Sequence, residues 1–218
     1  MNADLNSIPL SSSTSGFENI KRYWDKTRNA MVAKILPGEI YVSIASDEFI
    51  TTVLGSCISA CIWDAENKVG GMNHFMLPLK SGVTIYDDVS IIDGLPTRYG
   101  NFAMEHLINE MLKRGAIRRN LKVKIFGGGA IFGTKSDVGG KNIEFVKNYL
   151  YQENMKLISE DVGKQTPRKI LFEPISGRVW VKRLQSIHND TLIKREQSYL
   201  SSISEEKEVD GDIELFDD

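Results

Sequence analysis

The chain has 218 residues, of which 41% are hydrophobic and 26% charged, and its formal net charge at pH 7 is −2. A chain of this size can bury one sizeable core, which favours one compact domain with tails over two domains. The small net charge excludes a global positive field, so nucleic acid is not an expected partner. No stretch approaches the roughly 18 consecutive apolar residues of a membrane span, so direct membrane insertion is not expected.

The cysteine content predicts free thiols. The two cysteines, Cys57 and Cys61, are four residues apart, and on a strand such positions lie about 13 Å apart, beyond disulfide reach. Free thiols, together with an N-terminus that lacks the pattern of a signal peptide, predict a cytoplasmic protein. Two Cys and three His are a poor supply of ligands for a structural zinc site, so no metal is predicted.

The first half of the chain predicts an arm, two strands and a hairpin. Residues 1 to about 28 are rich in Ser, Thr and Asn and are expected to lie outside the core. Short strands are predicted at Glu39–Ile44 and Phe49–Leu54. The β-rich runs LGSCISACIWD and VGGMNHFMLP flank a turn at residues 65–68 and predict a hairpin. Residues 79–98 predict a long loop, and its 80–98 part is a candidate contact region for a partner.

The second half alternates helices and strands. A helix is predicted at Asn101–Arg114, ending at Gly115, and a second helix is predicted with Asn142 as its cap. Between them a strand runs into Gly127–Gly129, where a tight turn is a better interpretation than a phosphate-binding loop. The strands predicted in this half are Leu121–Phe126, Lys156–Glu160, Lys169–Glu173 and Arg178–Leu184.

These elements predict an α+β fold with one domain, in which a mainly antiparallel β sandwich or sheet carries two covering helices. The boundaries are a flexible N-terminal arm at 1–30, a folded domain at 31–184 and an acidic tail at 185–218. The tail carries three basic and ten acidic residues. Apolar residues from Leu192 to Ile203 have helical spacing that could dock on the core or on a partner, and a solvated acidic tail is the alternative for 205–218.

Cys57 and His74 are the candidate nucleophile and base. If residues 63 and 68 close the hairpin, Cys57 faces His74 directly; if residues 65 and 68 close it, His74 is the diagonal neighbour of Cys57 on the same face. The intermediate register puts the two residues on opposite faces. A thiol needs a nearby base because free Cys is mostly protonated at neutral pH. The alternative is a buried core thiol beside an ordinary hydrogen-bonded histidine.

The sequence gives weaker support for catalytic roles of other residues near Cys57 and His74. A hydroxyl of Thr51 or Thr52 could orient the imidazole, although Thr is simply favoured in strands. Backbone N–H groups near Ser56 could form an oxyanion hole. Cys61 is interpreted as structural, and no catalytic role is assigned to His106 or His188.

The chain resembles the CheD family of chemoreceptor glutamine deamidases. The resemblance covers about Ile35 to Leu184 and is carried by TTVLGSCISACIWD with GGMNHFMLP, YGNFAMEHLINEMLKRGA, LKVKIFGGGAIF, GGKNIEFVKNYL and SEDVGKQTPRKILFEPISGRVWVKRL, in that order. The catalytic Cys and His of the family match Cys57 and His74. Its catalytic Thr lies six residues before the Cys, which selects Thr51 over Thr52.

The resemblance implies a concrete reaction. Cys57 attacks the side-chain carbonyl of a receptor glutamine, His74 transfers protons, Thr51 orients His74, and hydrolysis of the thioester leaves glutamate and ammonia. No cofactor is implied, and receptor methyl esters are possible second substrates. Methyl-accepting chemotaxis receptors are the implied partners, and a CheC-type phosphatase is a further candidate. The alternatives are a protease or transglutaminase-like enzyme, a non-enzymatic adaptor that binds receptor or phosphatase, and an unrelated α+β domain.

Overall fold

The structure is a computed structural model that describes residues 14–77, 95–131, 137–184 and 190–205. The described residues form ten strands, three α-helices and one 3-10 turn at Arg118–Asn120. The strands are β1 (Lys21–Asp25), β2 (Ala30–Lys34), β3 (Ile40–Ser43), β4 (Glu48–Leu54), β5 (Ile58–Asp64), β6 (Val69–Asn73), β7 (Lys122–Gly127), β8 (Lys156–Val162), β9 (Arg168–Glu173) and β10 (Arg178–Arg183). The helices are α1 (Leu95–Lys113), α2 (Val138–Gln152) and α3 (Asp190–Glu205).

The strands form two five-stranded sheets. The first sheet has the order β1-β2-β4-β9-β10 and the second has the order β3-β6-β5-β7-β8. The neighbours are antiparallel except for the parallel pairs β2–β4 and β7–β8. Helix α1 contacts β3 and β6, while α2 contacts β5 and β8, so these two helices cover the second sheet. The predicted α+β fold, with mainly antiparallel sheet and two covering helices, is confirmed.

One hydrophobic core joins both sheets and the helices. Ile50 and Phe172 enter it from the first sheet, Ile62 from the second, and Leu107 from α1. Close packing of α1 on the second sheet depends on a glycine in β6. A Cβ atom on Gly71 would lie 2.7 Å from the Cδ1 atom of Leu107, so a larger residue would push the helix away from the sheet.

Glu48 ties the two sheets together at the start of β4. Its Oε1 atom accepts hydrogen bonds from Arg22 Nε on β1 (2.8 Å) and from the Tyr41 hydroxyl on β3 (3.0 Å). Its Oε2 atom accepts a hydrogen bond from the Ser43 hydroxyl at 2.6 Å. Because the carboxylate is buried, these donors compensate for the water that it loses on folding. The strand that leads to the candidate site is therefore fixed at its beginning.

The helix boundaries differ from the predicted ones. Helix α1 begins at Leu95, six residues before the predicted Asn101. The cap of α2 is Asp137, whose Oδ1 atom accepts a hydrogen bond from Gly140 N at 2.8 Å. The prediction that Asn142 caps this helix is wrong, because Asn142 lies inside α2 with its side chain buried. A carboxylate at the N-terminus satisfies a free N–H group and opposes the positive end of the helix dipole.

The structure places parts of the predicted arm and of the predicted tail in regular elements and in the core. Phe17 is buried and packs on Tyr41 with their ring centroids 5.2 Å apart, and β1 also lies within the predicted arm. The prediction that residues 1–28 lie outside the core is therefore wrong for these residues. The segment 190–205 of the predicted acidic tail forms α3. Residues 79–94 of the predicted loop lie outside the described residues, and its last part, residues 95–98, belongs to α1, so the loop prediction is wrong there. Among the described helices, none has the length and apolar character needed to cross a membrane.

Candidate active site

The segment Gly55–Cys57 carries the chain from one sheet to the other. Strand β4 ends immediately before it in the first sheet, and β5 begins immediately after it in the second. All three of its carbonyl oxygens accept hydrogen bonds from outside the segment. The donors are Gly129 N, Asn142 Nδ2 and Gly128 N, at 2.7, 2.9 and 2.7 Å respectively. The segment is therefore held on its carbonyl side, while the N–H groups of Gly55 and Ser56 face other partners.

The glycine run after β7 makes this support possible. Gly127 and Gly128 have φ angles of +111° and +63°, which confirms the predicted tight turn. A Cβ atom on Gly127 would lie 2.1 Å from the carbonyl oxygen of Cys57. Any side chain at this position would displace the segment that carries the thiol.

Asn142 joins this segment to the stretch after β6 that contains His74. Its Nδ2 atom donates to Ser56 O, and its Oδ1 atom accepts from Leu77 N at 2.9 Å. Sequence reasoning missed this role because the residue was placed at a helix end, where its side chain would be satisfied locally.

We expect Asn142→Ala to lower the free energy of unfolding by roughly 2–4 kcal/mol, because it leaves one buried carbonyl and one buried N–H group without partners. Urea denaturation measures this change. Asn148→Ala is the matched control, because Asn148 lies on the same helix with its side chain exposed. Equal stability of the two variants would contradict the supporting role of Asn142.

The hairpin brings Cys57 and His74 together. Strand β5 pairs with β6 in the register that places Asp64 opposite Val69. The isolated bridge between Ile58 and Phe75 has the same register. Of the two productive registers, the structure therefore has the one that makes His74 the diagonal neighbour of Cys57 on the same face. The Sγ atom of Cys57 and a ring nitrogen of His74 lie within 4.8 Å of each other.

Thr52 is the threonine that contacts His74. Its Oγ1 atom lies 2.8 Å from His74 Nδ1. The Thr51 hydroxyl instead donates to Ile170 O at 2.7 Å, in the neighbouring strand β9. The predicted orientation of His74 by Thr51 is thus wrong in this structure, because successive side chains of a strand point to opposite faces. Only one of the two threonines can face the imidazole.

The hydrogen bonds of Thr52 determine the tautomer of His74. Its hydroxyl has one proton, and Oγ1 lies 2.8 Å from Ile35 O, which can only accept. The hydroxyl therefore donates its proton to the carbonyl oxygen of Ile35, and Oγ1 accepts a hydrogen bond from His74 Nδ1–H. The Nε2 atom then keeps its lone pair, and it is buried without a hydrogen-bond partner. His74 is in the form that can accept a proton.

Burial keeps the side chains of Cys57 and His74 uncharged. Desolvation, followed by the charge of Arg195, lowers the pKa of His74 to about 3. Desolvation also raises the pKa of the Cys57 thiol well above its usual value, and the carboxylate of Glu196 raises it further. At neutral pH the site of this structure therefore contains a thiol and a neutral imidazole rather than an ion pair.

We expect Thr52→Val to reduce kcat for glutamine deamidation about five- to tenfold, the equivalent of losing one neutral hydrogen bond. Valine keeps the shape of the side chain but leaves Nδ1–H without an acceptor. Thr51→Val is the control, because its hydroxyl bonds to a backbone carbonyl away from His74. Steady-state kinetics on both variants would contradict this assignment if Thr51→Val caused the larger drop in kcat.

Glu196 is the residue of the site that sequence reasoning missed. It lies on α3 with its side chain fully buried, and its Oε1 atom accepts a hydrogen bond from Gly55 N at 2.8 Å. Its Oε2 atom accepts hydrogen bonds from Ser56 N at 2.9 Å and from the Ser56 hydroxyl at 2.7 Å. The predicted oxyanion donors at Ser56 are thus occupied by a carboxylate.

Three side chains at this point have the donor types of a metal site. An oxygen of Glu196, Cys57 Sγ and a ring nitrogen of His74 lie within 4.8 Å of one another. Both oxygens of Glu196 already accept hydrogen bonds from the chain, so the carboxylate is explained without a cation. The absence of a metal cofactor stays a prediction.

The remaining sequence candidates lie elsewhere. Cys61 is buried in β5 and pairs with Met72 across the hairpin, and desolvation raises the pKa of its thiol. His106 is exposed on α1. His188 lies outside the described residues.

Comparison with known proteins gives consistent results. The family model for CheD chemotactic sensory transduction matches residues 76–183. A probable chemoreceptor glutamine deamidase CheD of Hahella chejuensis is 50% identical over 200 residues, which cover 92% of each chain. The protein of the same name from Halorhodospira halophila is 48% identical over 205 residues, again with 92% of each chain covered. The structure of hypothetical protein YfiH from Bacillus licheniformis overlaps 56% of this chain and 50% of that chain, at 10% identity and a TM-score of 0.37, too low to carry an argument.

The buried thiol–imidazole pair is compatible with a cysteine nucleophile and with acyl transfer. The relatives are similar over most of their own length as well as over most of this chain. The chain belongs to the CheD family of chemoreceptor glutamine deamidases.

Proposed function

We propose that this protein converts glutamine side chains of methyl-accepting chemotaxis receptors to glutamate and releases ammonia, with Cys57 as nucleophile and His74 as acid and base. The observation that carries the proposal is the state of His74. Thr52 holds its Nδ1–H, its Nε2 atom is buried without a hydrogen-bond partner, and a ring nitrogen lies within 4.8 Å of Cys57 Sγ. Most buried polar side-chain atoms in proteins have a hydrogen-bond partner, so an unpaired ring nitrogen supports a reactive role for His74.

Formation of the thioester uses this arrangement directly. As Cys57 Sγ attacks the Cδ atom of the glutamine, its proton passes to His74 Nε2. The N–H groups of Gly55 and Ser56, which bind a carboxylate in the structure, stabilise the negative charge on the carbonyl oxygen. The imidazolium then donates its proton to the departing nitrogen, and ammonia leaves.

Hydrolysis of the thioester repeats the same steps with water. His74 removes a proton from a water molecule as the water attacks the thioester carbonyl, and it returns that proton to the sulfur of Cys57. Thr52 keeps the ring oriented through both half-reactions, because its contact is with the nitrogen that does not exchange protons. A receptor methyl ester would follow the same course with methanol as the leaving group.

Two partners and a cellular compartment belong to this proposal. The substrate is the chemoreceptor, and a CheC-type phosphatase remains a predicted second partner. Both cysteines are free thiols, and a reducing cytoplasm is the compartment that keeps them so.

Release of ammonia from a chemoreceptor cytoplasmic fragment, measured with and without an added primary amine, tests this proposal. A deamidase releases one ammonia for each glutamate formed, and the amine is not incorporated. Stoichiometric attachment of the amine to the fragment would instead identify a transglutaminase. Absence of ammonia release from several receptor fragments by well-folded protein would favour the adaptor interpretation.

A further inference from the structure

Helix α3 packs on the active site through one stripe of side chains. Leu192 lies in the cleft that Thr52 and His74 also line. Seven residues further on, Tyr199 contacts Gly38, and its hydroxyl forms a hydrogen bond with the Tyr99 hydroxyl on α1. Ile203 is buried one turn beyond Tyr199. These positions are seven and then four residues apart, so they share one face of the helix.

Glu196 lies in the middle of this stripe and is fully buried. A carboxylate at the centre of an apolar docking face loses its hydration, and an apolar residue would avoid that loss. Glu196 is tolerated because three donors of Gly55 and Ser56 receive it. The site therefore selects a carboxylate or carboxamide, presented from a helix, next to Cys57.

We propose that α3 occupies the substrate site as a tethered product analogue, with Glu196 in the place of the glutamate that deamidation creates, and that the donors of Gly55 and Ser56 form the subsite for the substrate's side-chain amide. This inference rests on the proposed deamidase function. Glutamate on a helix, with its carboxylate beside the thiol and the imidazole, is the arrangement of an enzyme–product complex. While α3 is docked, the thiol is buried and a receptor glutamine cannot reach it.

If α3 occupies the substrate site, the glutamine side chain introduced by Glu196→Gln becomes a substrate for Cys57 of the same chain. The introduced amide has the size of the carboxylate, its oxygen can accept from Gly55 N–H, and the Ser56 hydroxyl can turn to accept from its nitrogen. The substitution also removes the charge that raises the pKa of Cys57. Cys57 then forms a thioester with the introduced side chain, ammonia leaves with a proton from His74, and water restores glutamate and the free thiol.

Intact-mass analysis and peptide mapping of the full-length Glu196→Gln protein test this reaction. We expect position 196 to gain about 1 Da over time and to become glutamate. Gln197, which is exposed and adjacent on α3, is the internal control and stays unchanged. The double variant Cys57→Ala with Glu196→Gln is expected to keep its amide at position 196.

The outcomes separate this inference from the function on which it rests. If position 196 keeps its amide while the wild-type protein deamidates a receptor fragment, the product-analogue position of α3 is wrong and the proposed function stands. If neither position 196 nor the receptor glutamines change in well-folded protein, the proposed function fails, and this inference fails with it.

A substitution away from the catalytic groups tests the occlusion independently. Ile203→Asp places a charge at the buried end of the docking stripe, so α3 is expected to leave the site more often. Alkylation of Cys57 by iodoacetamide and deamidation of the receptor fragment should both become roughly tenfold faster. An unchanged alkylation rate in this variant would contradict occlusion by α3. Ser202→Asp is the control, since Ser202 is exposed on the same helix.

Discussion

Cys57→Ala is expected to reduce deamidation of a receptor fragment by about 10⁴-fold or more, because removal of a nucleophile eliminates the covalent pathway. The remaining site can still bind the amide through Gly55 and Ser56, but it has no atom that can form the thioester. The rate of ammonia release, followed over hours at high enzyme concentration, measures the residual activity. The variant is expected to fold normally, since alanine fits within the space that the thiol fills.

Cys61→Ala is the matched control for this variant. Cys61 is also a fully buried thiol, and it lies four residues away in β5. Its loss is expected to leave kcat within about twofold of the wild-type value and to affect only stability, by roughly 1 kcal/mol. Comparable activity of the Cys57→Ala and wild-type proteins would contradict the assignment of the nucleophile.

His74→Gln is expected to reduce kcat by about 10²- to 10⁴-fold, the range that a positioned general base supplies. Glutamine can still form a hydrogen bond with the Thr52 hydroxyl, but it cannot accept the proton of Cys57 or deliver it to ammonia. Raising the pH should partly restore the rate of this variant, because hydroxide can then deprotonate the thiol.

His106→Gln controls for loss of a histidine elsewhere. His106 is exposed on α1, so its replacement is expected to leave kcat unchanged. A His74→Gln protein with near wild-type kcat and an unaltered pH profile would show that another group transfers the proton.

Local patterns of the sequence were sufficient for most of the fold. The alternation and turn residues around the hairpin predicted both strands, and Asp64 accepts from the N–H groups of Glu66 and Asn67 to form that turn. The arrangement of the sheets could not be predicted in the same way. Strand β4 pairs with β2 in parallel and with β9 more than 100 residues later. Such pairings depend on which faces pack together, and no short segment specifies them.

The sequence was sufficient to predict Cys57 and His74 as the candidate pair, but not the positions of the two side chains relative to each other. The spacing of Cys57 and His74 left two productive registers, and the structure chose one of them. The choice between Thr51 and Thr52 depended on which face of β4 meets the end of β6. The resemblance selected Thr51 by its distance along the chain, whereas the hydrogen bond to His74 is made by Thr52.

Glu196 shows the limit of the sequence most clearly. The spacing of Leu192, Tyr199 and Ile203 indicated an amphipathic helix, but a periodic pattern does not say which surface receives it. A solvated acidic tail was the alternative for residues 205–218, which follow this segment. Only the three-dimensional arrangement brings a residue about 140 positions away to the N–H groups of Gly55 and Ser56.

The central claim is deamidation of receptor glutamines through Cys57, and site-resolved mass analysis of a chemoreceptor cytoplasmic fragment tests it most directly. The fragment is incubated with the wild-type protein or with Cys57→Ala, digested and mapped. We expect a gain of about 1 Da at particular glutamines with the wild-type protein and none with the variant. Equal gains with the wild-type protein and with Cys57→Ala would contradict the claim. It would also be contradicted if neither the wild-type protein nor an Ile203→Asp protein with an alkylatable Cys57 changed the receptor glutamines.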